Sequence, residues 1–589
     1  MKKIMILGCL AYALAAMPAQ AQWSDNTAEP VRISEKYTWG DEMAVDAEGN
    51  IYCYYLSPMG SEENLSSMRI IPYVKKINYD GTEAWDKALR LSAYPTKTYT
   101  MVNGYITLDK QGNLVATVWD ERLDSVNGGY TATAYKISPE GRMLWGEEGV
   151  NLCEGKSLAF GACMNLTTLD DNSTVFAWTG IEDREASAPQ AIYMQRVTAD
   201  GKTQWTGKKI ADAQTTITYP YMVNAGSNEY FMFYCSGSTP DFYVQKYDFD
   251  GNAVWAQPTL VYGMGGFGNG GAMQTIINVA PAKNGILVGW NDDRNNTKQE
   301  RTYIAYIDRD GKHIFSTGDA GLQVGYSELR SFRPSMAYNY ESDDIYVTWR
   351  ETSASQSFQQ VKGQRISPAG ELMWDTEGVA ICELEERQAG QESVQAGLKG
   401  GAIFFFMKQR AMGDYGHTMA YASLYSQDGR PVWDEKEVAL TDGESAQGGL
   451  VSLPLRKNQW IVSFHDSRNY ENNLNYTDVF AQNILIDGKL GGDTHLVANE
   501  DGIKTVAAFG VYPNPVRESL NIRFETGAPS ALRLTLCNLL GMEVAPLYEG
   551  RVQGTEVLRL QRPAGVKAGL YVVKASLDGQ ESGVKVILQ

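Results

Sequence analysis

The sequence predicts an all-β chain in which one small antiparallel unit is copied many times. Two observations carry this. A short turn, usually Asp-Gly, recurs eight times, with glycines at Gly81, Gly141, Gly201, Gly251, Gly311, Gly370, Gly429 and Gly488. The steps between them are 60, 60, 50, 60, 59, 59 and 59 residues, and a fixed period of this size marks a supersecondary unit stacked on its own copies. Four residues after most of these glycines stands a tryptophan: Trp85, Trp145, Trp205, Trp255, Trp374 and Trp433, with Phe315 in the fifth copy. A large aromatic at one place in every copy reads most simply as a plug between neighbouring units.

The copy from Gly104 to Cys153 shows how a unit is built. Tyr105-Ile106-Thr107-Leu108 is a first strand, and Asp109 to Asn113 turns the chain. Leu114 to Trp119 is β-branched and aromatic, hence a second strand, and Thr131 to Ile137 alternates with period two as a third. After the Pro139-Glu140-Gly141 turn, Val150-Asn151-Leu152 makes a fourth. Four-stranded units arranged radially make a β-propeller, and eight copies make eight blades. The eighth turn lacks its Trp, but Trp23 precedes Pro30 to Ser34 as Trp85 precedes Leu89 to Ser92. The N-terminal segment is therefore expected to supply the outer strand of the last blade, which leaves no open edge. After Gly488 the period stops, and residues from about 506 read as a small immunoglobulin-like β-sandwich. The expected domains are a signal peptide at 1–21, an eight-bladed β-propeller at 22–490, a linker at 491–505 and a C-terminal domain at 506–589.

The signal reading rests on Met1-Lys2-Lys3, an apolar run from Ile4 to Met17, and Ala19-Gln20-Ala21 as a small-x-small cleavage site. That run is too short for a permanent membrane helix, and no later stretch is long and apolar enough for one. Export permits disulfides. Cys153 with Cys163 is the one nearby pairing, beside the alternative that Cys53, Cys153, Cys163, Cys235, Cys382 and Cys537 are small buried hydrophobes. Net charge is −18, from 70 acidic and 52 basic side chains. That balance argues against nucleic acid and anionic membrane as partners.

The last domain carries a resemblance. Val511-Tyr512-Pro513-Asn514-Pro515, then Asn538 to Val544 around Gly541, then Ala568-Gly569-Leu570-Tyr571, ending in Lys585 to Gln589, resembles the type A C-terminal sorting domain of type IX secretion cargo in Bacteroidetes. The resemblance implies the type IX machinery as partner, Pro513, Asn514, Pro515, Gly541, Gly569, Tyr571 and Lys585 as sorting-signal residues, and a secreted or surface-attached product. The repeats loosely resemble pyrroloquinoline-quinone-type propellers and, more distantly, the Asp-box repeats of sialidases. Those dehydrogenases typically hold a vicinal disulfide near the cofactor, and this chain has no adjacent cysteines. Only the architecture carries over, so no cofactor is expected.

Ligands of a propeller commonly use the face where second strands run into third strands. On that face the chain repeats Trp119-Asp120-Glu121-Arg122, Trp290-Asn291-Asp292-Asp293-Arg294 and Phe464-His465-Asp466-Ser467-Arg468. Looser copies are Trp178 with Glu182 to Arg184, and Trp349-Arg350-Glu351. Trp119, Asp120, Arg122, Trp290, Asp292, Arg294, His465, Asp466 and Arg468 are the binding candidates: carboxylates and guanidiniums to grip a sugar chain, aromatics to stack on it. Each Asp can equally brace its own loop through the following Arg. His417 joins the candidates because it falls on that face one unit before His465, but two histidines without a third ligand do not make a zinc site. The Gly263 to Gly271 run reads as a flexible rim, since no helix follows to hold phosphate. The Asp-rich turns lack the further ligands of a calcium loop. The expectation is a monomeric surface protein whose propeller binds glycan or protein. The alternatives are a polysaccharide lyase or hydrolase, and a purely structural surface component.

Overall fold

The computed structural model describes residues 23–34, 39–58, 69–97, 105–123, 129–156, 158, 160–181, 189–212, 214–237, 241–263, 277–294, 299–456, 459–470, 477–491, 510–512, 516–537, 543–577 and 580–589. The expected signal segment, most of the expected linker, residues 182–184 and the glycine run after Gly263 lie outside them. The chain divides into two compact units, Met1–Gly492 and Asp493–Gln589.

Eight antiparallel sheets make up the described part of the first unit, seven of four strands and one of five. In chain order their first strands are Trp39–Val45, Ile106–Leu108, Phe160–Thr168, Ile217–Gly226, Asn278–Ala282, Arg330–Asn339, Ala389–Ala396 and Gln447–Arg456, and the sheets are numbered 1 to 8 in that order. Each first strand turns into a second, and the second into a third. The fourth, where present after the turn glycine, is only two to seven residues long. The second strands Leu114–Asp120, Gly285–Asp292 and Ala402–Gln409 are buried along their whole length. A strand covered on both faces has no need to alternate, which is why these segments read as continuous apolar and aromatic runs. The cores accordingly bridge neighbours: Val175 and Ala177 of sheet 3 pack with Tyr230 and Met232 of sheet 4.

The first strands touch one another in sequence order, and that of sheet 8 touches that of sheet 1. Sheet 8 takes its outer strand from the opposite end of the chain. Val31 pairs with Ala481 and Arg32 with Phe480. The Arg32 guanidinium lies 2.7 Å from Asp478, whose side chain is wholly buried.

The repeated aromatic does plug the seam between units. A Cβ on Gly201 would stand 2.8 Å from the Trp145 ring, on Gly251 2.8 Å from Trp205, and on Gly370 2.7 Å from Phe315. Trp23 takes the same position against Gly81. The indole N–H then donates to a carbonyl of the facing turn: Trp23 to Tyr79 at 2.9 Å, Trp85 to Pro139 at 3.0 Å, Trp374 to Gln427 at 3.0 Å and Trp433 to Ile486 at 2.7 Å. Phe315 keeps the packing without the donor. Two demands thus fall on each turn glycine, a left-handed backbone and room for a ring. Gly201 (φ +88) meets both, whereas Gly207 (φ +60) has nothing within 4 Å. We expect Gly201→Ala to cost about 1–3 kcal/mol, and more than Gly207→Ala, in urea unfolding.

In the second unit, one sheet joins Gly510–Tyr512, Ser519–Cys537, Glu543–Gln561, Gly569–Leu577 and Gln580–Leu588. Leu532, Leu534 and Leu536 are buried, while Ala531 and Arg533 on either side of Leu532 are exposed. That alternation gives the sheet one packed face, filled by Leu520, Ile522, Val573 and Val586.

Candidate functional site

The repeated Asp-x-Arg segments close up within their own sheets. Asp120 is 1% exposed and holds Arg122 by two side-chain bonds of 2.7 and 2.9 Å to the same oxygen. The second guanidinium branch donates to the Glu148 carbonyl at 2.6 Å, just before the fourth strand. Asp292 and Arg294 repeat this, with the free branch on the Ala320 carbonyl at 2.7 Å. Asp466 and Arg468 repeat it again, and here the carbonyl belongs to Ala28 of the N-terminal segment, at 2.6 Å. Trp119 and Trp290 are buried under these loops. Trp290 donates to Asp292 at 2.9 Å, while the Trp119 Nε1 finds no partner. Burial pushes the Asp120 carboxyl above its usual range against the pull of Arg122. Each group braces the loops of its own sheet.

His417 and Arg468 do come together. They line a cavity of about 520 Å³ with Asp442, Glu444, Ser445 and Tyr470 among its walls. His417 Nδ1 lies 2.7 Å from Asp414, and that hydrogen bond holds the Asp414 carboxyl below its usual range. His465 lies elsewhere, against the backbone of Gly449. Among the described residues no group of three or more His, Cys, Asp or Glu could hold a metal ion.

A second cavity, of about 540 Å³, opens where the first strands of sheets 5 to 8 converge. None of its residues was singled out from the sequence. Three of those strands break register at one place, between Phe332 and Ser335, Gly390 and Ser393, and Gly448 and Val451. The bulged residues Arg333, Gln391 and Gly449 have φ of +55°, +53° and +65°. Such a conformation costs a non-glycine residue about 1–2 kcal/mol, and bulges of this kind re-aim side chains. Cys163 and Tyr219 hold the same conformation in sheets 3 and 4, also at register breaks. Among the described residues Cys53, Cys153, Cys235, Cys382 and Cys537 are buried and Cys163 is partly exposed.

The chemistry of this cavity centres on Glu392. Its side chain lines the cavity and is 8% exposed, yet neither carboxylate oxygen has a side-chain hydrogen-bond partner. Burial pushes its pKa up, opposed by the charge of Arg350, the backbone amide of Glu392 itself, the charge of Arg333 and the Arg350 amide. Arg350 passes beside Gly390, where a Cβ would sit 3.2 Å from its Nη1 and 3.6 Å from Glu392 Oε2. The rest of the wall is neutral and braced: Ser393 and Ser452 share a 2.6 Å hydroxyl bond, Gln391 accepts from the Leu450 amide at 3.0 Å, and Asn278 accepts from the Met336 amide at 3.2 Å. A signal was present in the sequence. Arg333-Pro334-Ser335 and Gln391-Glu392-Ser393 place polar residues at one point of the repeat, in strands otherwise half apolar.

Residues 510–589 match the family described as the secretion system C-terminal sorting domain. This supports cargo of the type IX system, exported to the cell surface or beyond it. Gly569 and Tyr571 lie in a strand paired with the last one, opposite Leu588 and Val586, and the Lys585 backbone pairs with Val572. Pro513, Asn514, Pro515 and Gly541 lie outside the described residues. No curated protein matches the chain. Among solved structures it is similar to an ulvan lyase, a polysaccharide lyase, at 10% identity over 81% of this chain and 97% of that one, with a TM-score of 0.41. It is also similar to a Penicillium chrysogenum alpha-L-arabinanase (12% identity, 55% and 92% covered, TM-score 0.30) and a Bacteroides thetaiotaomicron endo-arabinase (9%, 69% and 99%, 0.26). Among the described residues no helix is long and apolar enough to cross a membrane.

Proposed function

We propose that this is an exported surface protein whose eight sheets are the blades of a closed propeller, and that the propeller binds glycan at its central opening. The observation that carries the reading is the cavity among the first strands of sheets 5 to 8, where Asn278, Gln391, Ser393 and Ser452 meet beside Glu392. Its volume of about 540 Å³ suits a small oligosaccharide segment, since ligand pockets span about 300–1,000 Å³. Hydroxyl and amide groups on rigid strands match a polyhydroxylated ligand better than an apolar one. Among the described residues Glu392 is the one carboxylate in that wall. Glycoside hydrolysis by the usual route needs two, about 5–10 Å apart, so binding is favoured over cleavage. The C-terminal domain, an immunoglobulin-like sandwich on this reading, serves export and not recognition.

The test is a glycan array probed with the secreted chain, followed by calorimetry on the hits. Filling the cavity with Ser393→Trp is expected to weaken binding at least about tenfold while the melting temperature holds. Reducing ends or unsaturated products appearing on incubation with a hit would establish an enzyme instead.

A further inference from the structure

The geometry points to a subsite for a carboxylate-bearing sugar in this cavity, with the Arg333 guanidinium taking the ligand's carboxylate and the Glu392 carboxyl lying beside it. This rests on the glycan reading above and narrows it to acidic glycans.

Two side chains from adjacent first strands carry the inference. Arg333 lines the cavity from a left-handed bulge position, and its guanidinium makes no ion pair or hydrogen bond among the described residues. A free, planar fork of donors at a cavity wall matches a carboxylate in bidentate fashion. Glu392 enters from the neighbouring strand, more than nine-tenths buried, with no side-chain partner on either oxygen. An ionised carboxylate in that state would leave its charge unsolvated. A protonated one offers an O–H donor and asks for an acceptor. The ligand carboxylate supplies that acceptor.

Charge gives the same answer. The titratable groups acting on Glu392 are Arg350 and Arg333, both of sheet 6. Among the described residues Gly449, Leu450, Val451 and Ser452 of sheet 8 line the cavity, with the His465 ring against Gly449, and Ile277 and Asn278 line it from sheet 5. Arg333 lines the cavity and Arg350 lies behind its wall, so two guanidinium charges act on Glu392 inside a chain of net charge −18. A locally cationic cavity in an acidic protein selects an anion that it can hydrogen-bond.

The sign of the pH effect follows. Burial raises the Glu392 pKa, so falling pH protonates it, removes the like charge beside the ligand and adds a donor. Binding should therefore take up a proton and tighten as pH falls, down to the pH at which the ligand's own carboxylate begins to protonate.

The experiment uses the full secreted chain with oligogalacturonate, oligoalginate and glucuronate-substituted xylan oligomers, each beside its carboxyl-reduced form. At least one acidic oligomer should bind about tenfold or more tightly than its reduced form. Arg333→Asn keeps a residue that tolerates the left-handed backbone, and it should abolish that preference. Glu392→Gln, which cannot titrate, should flatten the pH profile. If reduced and acidic oligomers bind equally, the carboxylate subsite is wrong and the glycan reading stands. If neither these nor neutral glycans bind, both fall. Affinity that rises with pH would also overturn the inference, because it would require an ionised Glu392.

Discussion

Trp23→Ala should lower the stability of the first unit by about 3–5 kcal/mol, the range for removing a buried large aromatic. Trp23 is 4% exposed, and its ring lies against the turn at Gly81. Its indole donates to Tyr79 and its own amide to Asp80. The same residue lies in the segment that completes sheet 8, so its loss weakens the seam where the two ends of the repeat array meet. Trp145 performs the equivalent task between sheets 2 and 3 but is only partly buried, and Trp145→Ala should cost less. Urea unfolding followed by circular dichroism measures both. Equal costs would mean that the terminal seam has no special weight.

This seam was legible in the sequence because every copy solves one packing problem with one residue pair. A glycine turn needing room and an aromatic filling it leave a period, and the Trp missing after Gly488 is supplied by Trp23. The Asp-Arg pairs were legible as a pattern only. Whether each guanidinium faces outward or inward depends on a carbonyl 26 residues further on, as for Arg122 and Glu148, or 440 residues back, as for Arg468 and Ala28. Spacing along the chain carries no such information. The central cavity was hidden for a different reason. A bulge inserts one residue and shifts every later side chain to the other face. Glu392 follows the bulged Gln391 and reads as a solvated strand residue, yet it points among the other first strands and is buried.

Asp466→Ala should cost about 3–5 kcal/mol, as expected when one partner of a buried ion pair is removed. Asp466 is fully buried and accepts from the Arg468 amide at 2.7 Å, Arg468 Nη2 at 2.7 Å, Ser445 Oγ at 2.6 Å and Gln447 Nε2 at 2.9 Å. Truncation strands all of these donors and loosens Arg468 from the Ala28 carbonyl, and with it the N-terminal segment that carries Trp23. The two lesions therefore meet in one structure. In a double-mutant cycle Trp23→Ala and Asp466→Ala should cost less together than the sum of their separate costs, by at least about 0.5 kcal/mol. The alternative role for Arg468, gripping a ligand, makes the opposite forecast: Asp466→Ala would fold with nearly normal stability and lose glycan affinity. Stability and binding measured on the same variant separate a brace from a binding residue, and the bonds around Asp466 favour the brace.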